Sequence, residues 1–233
     1  MIGIFVELLL SWIVLKFLER KNLGVLGLPP TLGRMKELMT GLLLSVPFPI
    51  VFLEVVALLV HNPYRLNPHY SIKDLWIASG YVFRSVLYED LIFRGALLYI
   101  LIIRIGARKA VLISAVSFGI YHWFSWSALG QPVQTLIIFL TTGTAGYVQA
   151  LAFEKTRSMY MPFALHFGVD FVYMIIFSQD KGIGLQLLTK TFARDPVSPG
   201  SVVSFLVLLI YFSWYPLLTF MYLGQKKGRS DEV

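Results

Sequence analysis

The sequence predicts an all-α integral membrane protein, a polytopic helical bundle of about seven to eight transmembrane helices. Of its 233 residues, 57% are hydrophobic and only 14% are charged. A soluble domain carries about 25% charged residues, so this chain has too little charge to cover an aqueous surface. In addition, the apolar residues fall into segments near the roughly 20 residues that a helix needs to cross a bilayer. The length suits one transmembrane domain over residues 1–233.

Seven apolar segments are predicted to span the membrane. They are residues 2–18, 38–60, 75–103, 110–126, 133–153, 159–177 and 201–223. Pro47 and Pro49 predict a kink in the second segment, because proline cannot donate a helical hydrogen bond. Two amphipathic stretches, 31–39 and 185–194, are predicted to lie at the membrane interface, and either would make an eighth membrane element.

The basic residues in the loops predict the topology. Loops after the first, third and fifth segments, with the tail, contain Arg20, Lys21, Arg34, Lys36, Arg104, Arg108, Lys109, Lys155, Arg157, Lys226, Lys227 and Arg229. The opposite loops contain fewer: Arg65, Lys73, Lys181, Lys190 and Arg194. The bias predicts an outside N-terminus and a cytoplasmic C-terminus. It also accounts for the net charge of +7 without nucleic acid as a partner. The absence of cysteine excludes disulfides, thiol catalysis and cysteine-bound metals.

Three charged residues fall within six positions of the third predicted segment, namely Glu89, Asp90 and Arg94. A charge at the centre of a spanning helix costs about 2.5–3.5 kcal/mol, so these side chains are expected to be paired, hydrated or functional. Asp90 and Arg94 are four residues apart and share one helix face, which predicts an ion pair. Glu89 points about 100° away from Asp90. It is therefore predicted to be the carboxylate that is available for chemistry.

Two other segments carry polar residues that point to the same site. His122 lies near the end of the fourth, and His166 and Asp170 lie four residues apart on the sixth. Polar groups within a membrane face one another or a water-filled cavity, so a shared polar intramembrane chamber is predicted. Three kinds of chemistry use such groups: activation of water by a carboxylate and a histidine, zinc binding by two histidines and a carboxylate, and proton or ion transport.

The order of these motifs resembles a known family. The chain reads Glu89-Asp90-Leu-Ile-Phe-Arg94, then Phe118-Gly-Ile-Tyr-His122, then His166-Phe-Gly-Val-Asp170. This is similar to the Glu-Glu-x-x-x-Arg, Phe-x-x-x-His and His-x-x-x-Asn/Asp pattern of the CAAX proteases and bacteriocin-processing enzymes. That intramembrane protease family includes the Ras-converting enzyme. The resemblance covers about residues 75–177, the predicted catalytic core, and the Phe-Arg-Gly run that ends at position 95 adds to it.

The resemblance implies a glutamate-dependent endopeptidase. Glu89 would be the general base on water, and His122 would help to hold and activate that water. His166 and Asp170 would form the oxyanion site, with Asp90 and Arg94 as structural support. A metal-free mechanism without a cofactor is preferred, with zinc as the less favoured alternative.

The motifs depart from the family pattern at two positions. Asp90 replaces a glutamate and keeps its charge. Asp170 stands where many members have asparagine, and an ionised carboxylate can only accept a hydrogen bond, whereas an amide can donate one. Asp170 is therefore expected to be protonated, or to orient His166 and keep it cationic, unless the chain is not a protease. A non-catalytic member that binds membrane peptides, as in bacteriocin immunity or scaffolding, is the main alternative.

The remaining predictions concern partners and location. Arg84 is predicted either to pair with an acid in the chamber or to attract the C-terminal carboxylate of a substrate. The expected partners are the lipid bilayer and a membrane-anchored peptide, such as a prenylated CaaX tail, a sorting anchor or a bacteriocin leader. The expected location is a prokaryotic cytoplasmic membrane. A small ion-coupled transporter is disfavoured because no inverted repeat is visible. Oligomeric state is not predicted.

Overall fold

A computed structural model of the protein describes residues 2–177, 183–190 and 197–225. This part of the chain is almost entirely helical, with two strands of only three residues each. The predicted all-α class is therefore confirmed. The helices are α1 (Ile2–Glu19), α2 (Leu32–Ser45), α3 (Pro47–Leu59), α4 (Ile72–Arg94), α5 (Ala96–Ile105), α6 (Ala107–Ser125), α7 (Pro132–Thr156), α8 (Tyr160–Asp170) and α9 (Ser201–Leu223). The strands are β1 (Tyr64–Leu66) and β2 (Leu188–Lys190), and one π-helical turn (Phe171–Ile176) extends α8.

Within the described residues, three helical stretches are long and apolar enough to cross a membrane. They are Leu32–Leu59, Pro132–Thr156 and Ser201–Leu223, and Tyr160–Ile176 is a shorter apolar helix. Their apolar surfaces fit the predicted membrane protein. The total of seven to eight spans and the orientation across the membrane stay predictions. Several residues on which the orientation depends (Lys181, Arg194, Lys226, Lys227 and Arg229) lie outside the described residues.

The second predicted segment begins earlier than expected. Thr31 caps α2, its hydroxyl accepting a hydrogen bond from the Arg34 N–H at 3.2 Å. The stretch 31–39, predicted to lie at the interface as a separate element, is instead the cap and first half of α2. The pattern was misleading because Glu37 is buried inside the protein rather than directed at water. The predicted kink is confirmed, since α2 ends at Ser45 and α3 begins at Pro47.

The third predicted segment, 75–103, is not one helix but two. Gly95 leaves the helical conformation, with φ −84° and ψ −136°, and separates α4 from α5. A Cβ atom at this position would overlap the backbone carbonyl oxygen of Leu91. Ser114 of α6 donates a hydrogen bond from Oγ to the Phe93 carbonyl beside the break, at 2.7 Å. The break therefore fixes the end of α4, which carries the charged motif.

Replacement of Gly95 with alanine is expected to destabilise the protein by about 1–3 kcal/mol, because the new methyl group meets backbone that cannot move aside. Gly80→Ala is the matched control on the same helix, since a Cβ atom there meets nothing within 4 Å. Thermal unfolding in detergent compares the two variants. Equal melting temperatures would contradict the structural role of Gly95.

The stretch 185–194 was predicted to be an amphipathic element at the membrane interface; its central part is a strand, and its position relative to the membrane stays a prediction. Leu188–Lys190 forms strand β2, antiparallel to β1, with Tyr64 opposite Lys190. The charge of Lys190 is accommodated by a cation–π contact, because its Nζ lies 4.7 Å from the centre of the Tyr64 ring. Pairing with a strand more than a hundred positions away is not visible in local periodicity. Residues 191–194 lie outside the described residues.

Small residues bring α8 against α2. Ser45 donates a hydrogen bond to the Ala164 carbonyl at 3.1 Å and to the Gly41 carbonyl at 2.8 Å. A Cβ atom on Gly168 would overlap Ser45, and one on Gly41 would collide with the Ala164 side chain. This close approach fixes the depth and rotation of α8, which carries His166.

The contact between α6 and α7 is also built on glycine. A Cβ atom on Gly146 would lie 3.0 Å from the Phe118 ring, and one on Gly119 would lie 2.7 Å from the Phe139 ring. Helices α6 and α7 therefore pack closely at these glycines. This packing holds Phe118 and the following turn of α6, which carries His122.

Candidate active site

Side chains from three helices meet at one place. Glu89 comes from α4, His122 from α6 and His166 from α8. Glu89 Oε2 lies 4.0 Å from His122 Nε2 and 3.8 Å from His166 Nε2. Asp90 and Asp170 lie beside His166. The structure thus brings together the acids and histidines that the sequence singled out, and their chemical roles stay predictions at this point.

Glu89 has no hydrogen-bond partner among the described residues, and its side chain is only 16% exposed. Direct hydrogen bonds between side chains are about 2.7–3.2 Å long, so both histidine nitrogens are too far for direct bonding. A separation of this size suits one bridging water. The carboxylate is therefore largely buried and close to two imidazoles, and it is not hydrogen-bonded directly to either of them.

His122 is oriented by its own helix. Its Nδ1 lies 2.9 Å from the Phe118 carbonyl oxygen. A carbonyl can only accept, so Nδ1 must carry hydrogen, and a neutral His122 then presents the lone pair of Nε2 towards Glu89. The rings of Phe118, Tyr121 and Trp126 lie against the imidazole. These aromatic contacts hold the ring in this orientation.

The predicted pair of Asp90 and Arg94 is confirmed, and it extends to His166. Arg94 Nη1 lies 3.2 Å from Asp90 Oδ1, and both side chains are fully buried. The same oxygen lies 3.1 Å from His166 Nδ1. An aspartate paired with arginine is an acceptor, so His166 donates from Nδ1 and its Nε2 points towards Glu89. Asp90 therefore orients His166 as well as balancing the charge of Arg94.

Asp170 approaches His166 from the other side of the ring. Its Oδ2 lies 3.6 Å from His166 Nε2, and its side chain is 31% exposed. The nitrogen that orients the ring, Nδ1, is held by Asp90 instead. Asp90, rather than Asp170, therefore orients the His166 ring. The Asp170 carboxyl group lies instead beside Nε2, the nitrogen that faces Glu89.

Arg84 is exposed and lies outside this cluster. Its Nε donates to the Gly80 carbonyl of its own helix at 3.0 Å. Within the described ranges no acid forms an ion pair with it, so the alternative of pairing with a chamber acid finds no support. The alternative of a substrate contact stays a prediction.

The sequence analysis missed two buried polar residues that contact the cluster. Gln149 of α7 accepts a hydrogen bond at Oε1 from Arg94 Nη2. Tyr215 of α9 has its hydroxyl 3.5 Å from Gln149 Nε2. Phe118 also contributes, because the Arg94 guanidinium lies 3.8 Å from its ring centre. The sequence signal for Gln149 was a polar amide within a largely apolar helix. Polar side chains within membrane segments are expected to have a partner.

The residues were tested for their fit to zinc. Ligands of a tetrahedral zinc ion lie about 3.4 Å apart, because zinc–nitrogen and zinc–oxygen bonds are about 2.0–2.2 Å long. The separations between Glu89 and the two histidines are wider. Among the described histidines, aspartates and glutamates, no group of three or more has an arrangement that could hold a metal ion. The side chains do not fit the ion, so no step below is routed through a metal.

The predicted chamber around the site stays a prediction. Two described pockets, of about 380 and 270 Å³, lie elsewhere. The first is at the start of α7, around Pro132, and the second lies between α3 and α9, around Tyr211. Neither is lined by the acids and histidines of the cluster.

Apolar helices surround this largely buried cluster of acids and histidines, as in a membrane protein with a polar site. Residues 71–172 match the family model described as Type II CAAX prenyl endopeptidase Rce1-like. This part of the chain, which contains every acid and histidine of the cluster, is therefore similar to the Rce1-like family of CAAX proteases. The resemblance drawn from the motifs is confirmed, and the match supports a peptidase. No curated protein and no solved structure gives a significant match.

Proposed function

We propose that the protein is an intramembrane endopeptidase that hydrolyses membrane-anchored peptides with a water molecule activated by Glu89. The supporting observation is the position of the free Glu89 carboxylate, 3.8 to 4.0 Å from the Nε2 atoms of two oriented histidines. This separation suits one bridging water. The family match supports a prenylated CaaX tail as the first substrate class to test.

The proposed reaction begins with a water bound between Glu89 and His122. The water donates one hydrogen to the carboxylate and the other to the lone pair on His122 Nε2. A lone pair of its oxygen is then free to attack the carbonyl carbon of the scissile peptide bond. As the new C–O bond forms, Glu89 takes the proton, and a tetrahedral intermediate with a negatively charged oxygen results. General-base catalysis of this kind contributes about 10²–10⁴-fold.

His166 is proposed to stabilise the intermediate. With Nδ1–H held by Asp90, a second proton on Nε2 makes this nitrogen a donor to the oxyanion, and one such donor contributes about 10²–10³-fold. Collapse of the intermediate then breaks the C–N bond. Glu89 returns its proton to the leaving amine, so the products are a carboxylic acid and an amine, and no other reactant is consumed.

Asp170→Asn is expected to keep cleavage activity and to raise it by up to about tenfold, the equivalent of one hydrogen bond. The reason is that an amide beside His166 Nε2 can donate to the oxyanion, whereas a carboxylate accepts, and Asp90 already orients the ring. Asp170→Leu, which removes the polar group, is the comparison. The measurement is kcat/KM on one peptide. An inactive Asp170→Asn variant would mean that the carboxyl group itself is required.

The proposed activity is tested with the full chain in proteoliposomes. The substrates are a farnesylated CaaX-tailed peptide, the same peptide without its prenyl group, a sorting-anchor peptide and a bacteriocin-leader peptide. Cleavage in H₂¹⁸O is expected to place one ¹⁸O atom in the new carboxyl group, as mass spectrometry can determine. Elemental analysis of the active fraction measures its metal content. If every peptide bound without being cleaved, the non-catalytic alternative would replace this proposal.

A further inference from the structure

We infer that Gln149 and Tyr215 are positioning residues, which hold Arg94 in place and, through Asp90, fix the orientation of His166. The inference deepens the proposed function, on which its kinetic test rests. The contacts connect α9 and α7 to the acids of α4 and the histidine of α8. Tyr215 lies outside residues 71–172, so the family match does not cover this part of the site.

Arg94 is the centre of the connection. Its guanidinium has five N–H donors in a fixed plane. Nη1 donates to Asp90 and Nη2 donates to Gln149, while the ring of Phe118 covers one face. Two hydrogen bonds from the two ends of a planar fork leave the group no freedom to rotate. Without Gln149, the position of Nη1 depends on Asp90 and the Phe118 ring alone.

Gln149 has a defined orientation because its two ends have different partners. Its Oε1 accepts from Arg94, so its Nε2 must be directed away from Arg94, and it faces the Tyr215 hydroxyl at 3.5 Å. The side chain is 1% exposed, so water does not compete for these groups. The distance to Tyr215 is at the long limit of a hydrogen bond, and the contribution of Tyr215 is therefore expected to be the smaller one.

Asp90 transmits this arrangement to His166. One oxygen, Oδ1, contacts both Arg94 and His166, while Oδ2 has no partner among the described residues. Rotation of the carboxylate about its own axis would break both contacts together. A displacement of Arg94 is therefore expected to weaken the hydrogen bond at His166 Nδ1 and to turn Nε2 away from Glu89.

The first measurement does not depend on peptidase activity. The chain has four histidines, so ¹⁵N-labelled imidazoles of the full-length protein in nanodiscs can be assigned by NMR, with His166→Gln identifying the His166 signal. The Nδ1 proton of His166 is expected downfield because it bonds to a carboxylate. In Gln149→Leu this signal is expected to move upfield or to be lost. In Gln149→Glu, which keeps the accepting oxygen, it is expected to return.

The second measurement is kinetic. Gln149→Leu is expected to lower kcat about 10- to 100-fold, the usual range for residues that orient a site, with KM unchanged. Tyr215→Phe, which removes one oxygen atom, is expected to lower kcat about threefold. Tyr211→Phe is the matched control, one turn earlier on α9, where the ring contacts Phe52, Tyr173 and Phe212 rather than Gln149. Gln149→Glu is expected to recover most of kcat.

These results separate positioning from a merely structural role. An unchanged His166 signal and an unchanged kcat in Gln149→Leu, even with a lower melting temperature, would overturn the inference. If Gln149→Leu does not fold, Tyr215→Phe decides: a His166 signal and kcat equal to those of Tyr211→Phe would overturn it as well. If the wild-type chain cleaves no peptide, the proposed function fails, and the NMR comparison still decides this inference.

Discussion

The Glu89→Gln variant is expected to lose about 10²–10⁴-fold in kcat, which is the usual contribution of a general base. The substitution keeps the size and shape of the side chain but removes its ability to take a proton from water. Glu89 has no hydrogen bond to lose among the described residues, so the fold should be preserved. Initial rates of peptide cleavage and a thermal melt, both in the same detergent, measure the two effects.

Glu54→Gln is the matched control for this experiment. Glu54 is a partly buried carboxylate on the apolar helix α3 and is not part of the acid–histidine cluster. Its replacement by glutamine is expected to leave kcat unchanged. Full activity in Glu89→Gln would remove the general-base assignment. A loss of activity in both variants would point to a general effect of the substitution on the membrane domain.

Local spacing predicted the parts of the site that lie on a single helix. The four-residue interval between Asp90 and Arg94 placed them on one face, and the structure pairs them at 3.2 Å. The rotation of one residue left Glu89 on another face, where it lies near His122 and His166 rather than in the pair with Arg94. Such relations follow from helical geometry alone and do not require knowledge of the tertiary structure.

Contacts between helices were less predictable. Polarity indicated that acids and histidines would meet, but not that Asp90, rather than Asp170, would hold His166 Nδ1. Gln149 and Tyr215 contact the cluster from helices far along the chain, and single polar residues in apolar segments have no periodicity to mark them. The choice of partner depends on rotations of α7, α8 and α9 that are set by packing.

Breaks within apolar runs were also hidden. Residues 75–103 appear continuous in hydropathy, yet Gly95 ends one helix and Ala96 begins the next. The cause is a close approach of the Gly95 backbone to the Leu91 carbonyl, which composition does not report. Pro47, by contrast, has a fixed local effect on helices, and the kink predicted from it was correct.

Arg94→Met is expected to destabilise the protein by about 3–5 kcal/mol, the usual effect of removing one partner from a buried ion pair. Methionine fills a similar volume but leaves the Asp90 carboxylate buried with His166 as its remaining hydrogen-bond partner. Cleavage is also expected to be lost. Arg94 helps to hold the Asp90 carboxylate, and the orientation of His166 depends on that carboxylate. The measurement is denaturant unfolding of the purified protein in detergent, followed by the peptide assay.

Two further variants are compared with Arg94→Met. Arg104→Met removes an arginine that pairs with Glu19 at 2.8 Å but is 53% exposed, and exposed ion pairs contribute only about 0–1 kcal/mol. The double variant Asp90→Asn/Arg94→Met removes both charges and is expected to recover much of the lost stability without recovering cleavage. This separation follows from the two roles of Asp90: a neutral pair satisfies the folded state, but only the ionised carboxylate balances the charge of the doubly protonated His166 that the proposed reaction requires. Equal stability of Arg94→Met and Arg104→Met would show that the buried pair does not stabilise the fold in this way.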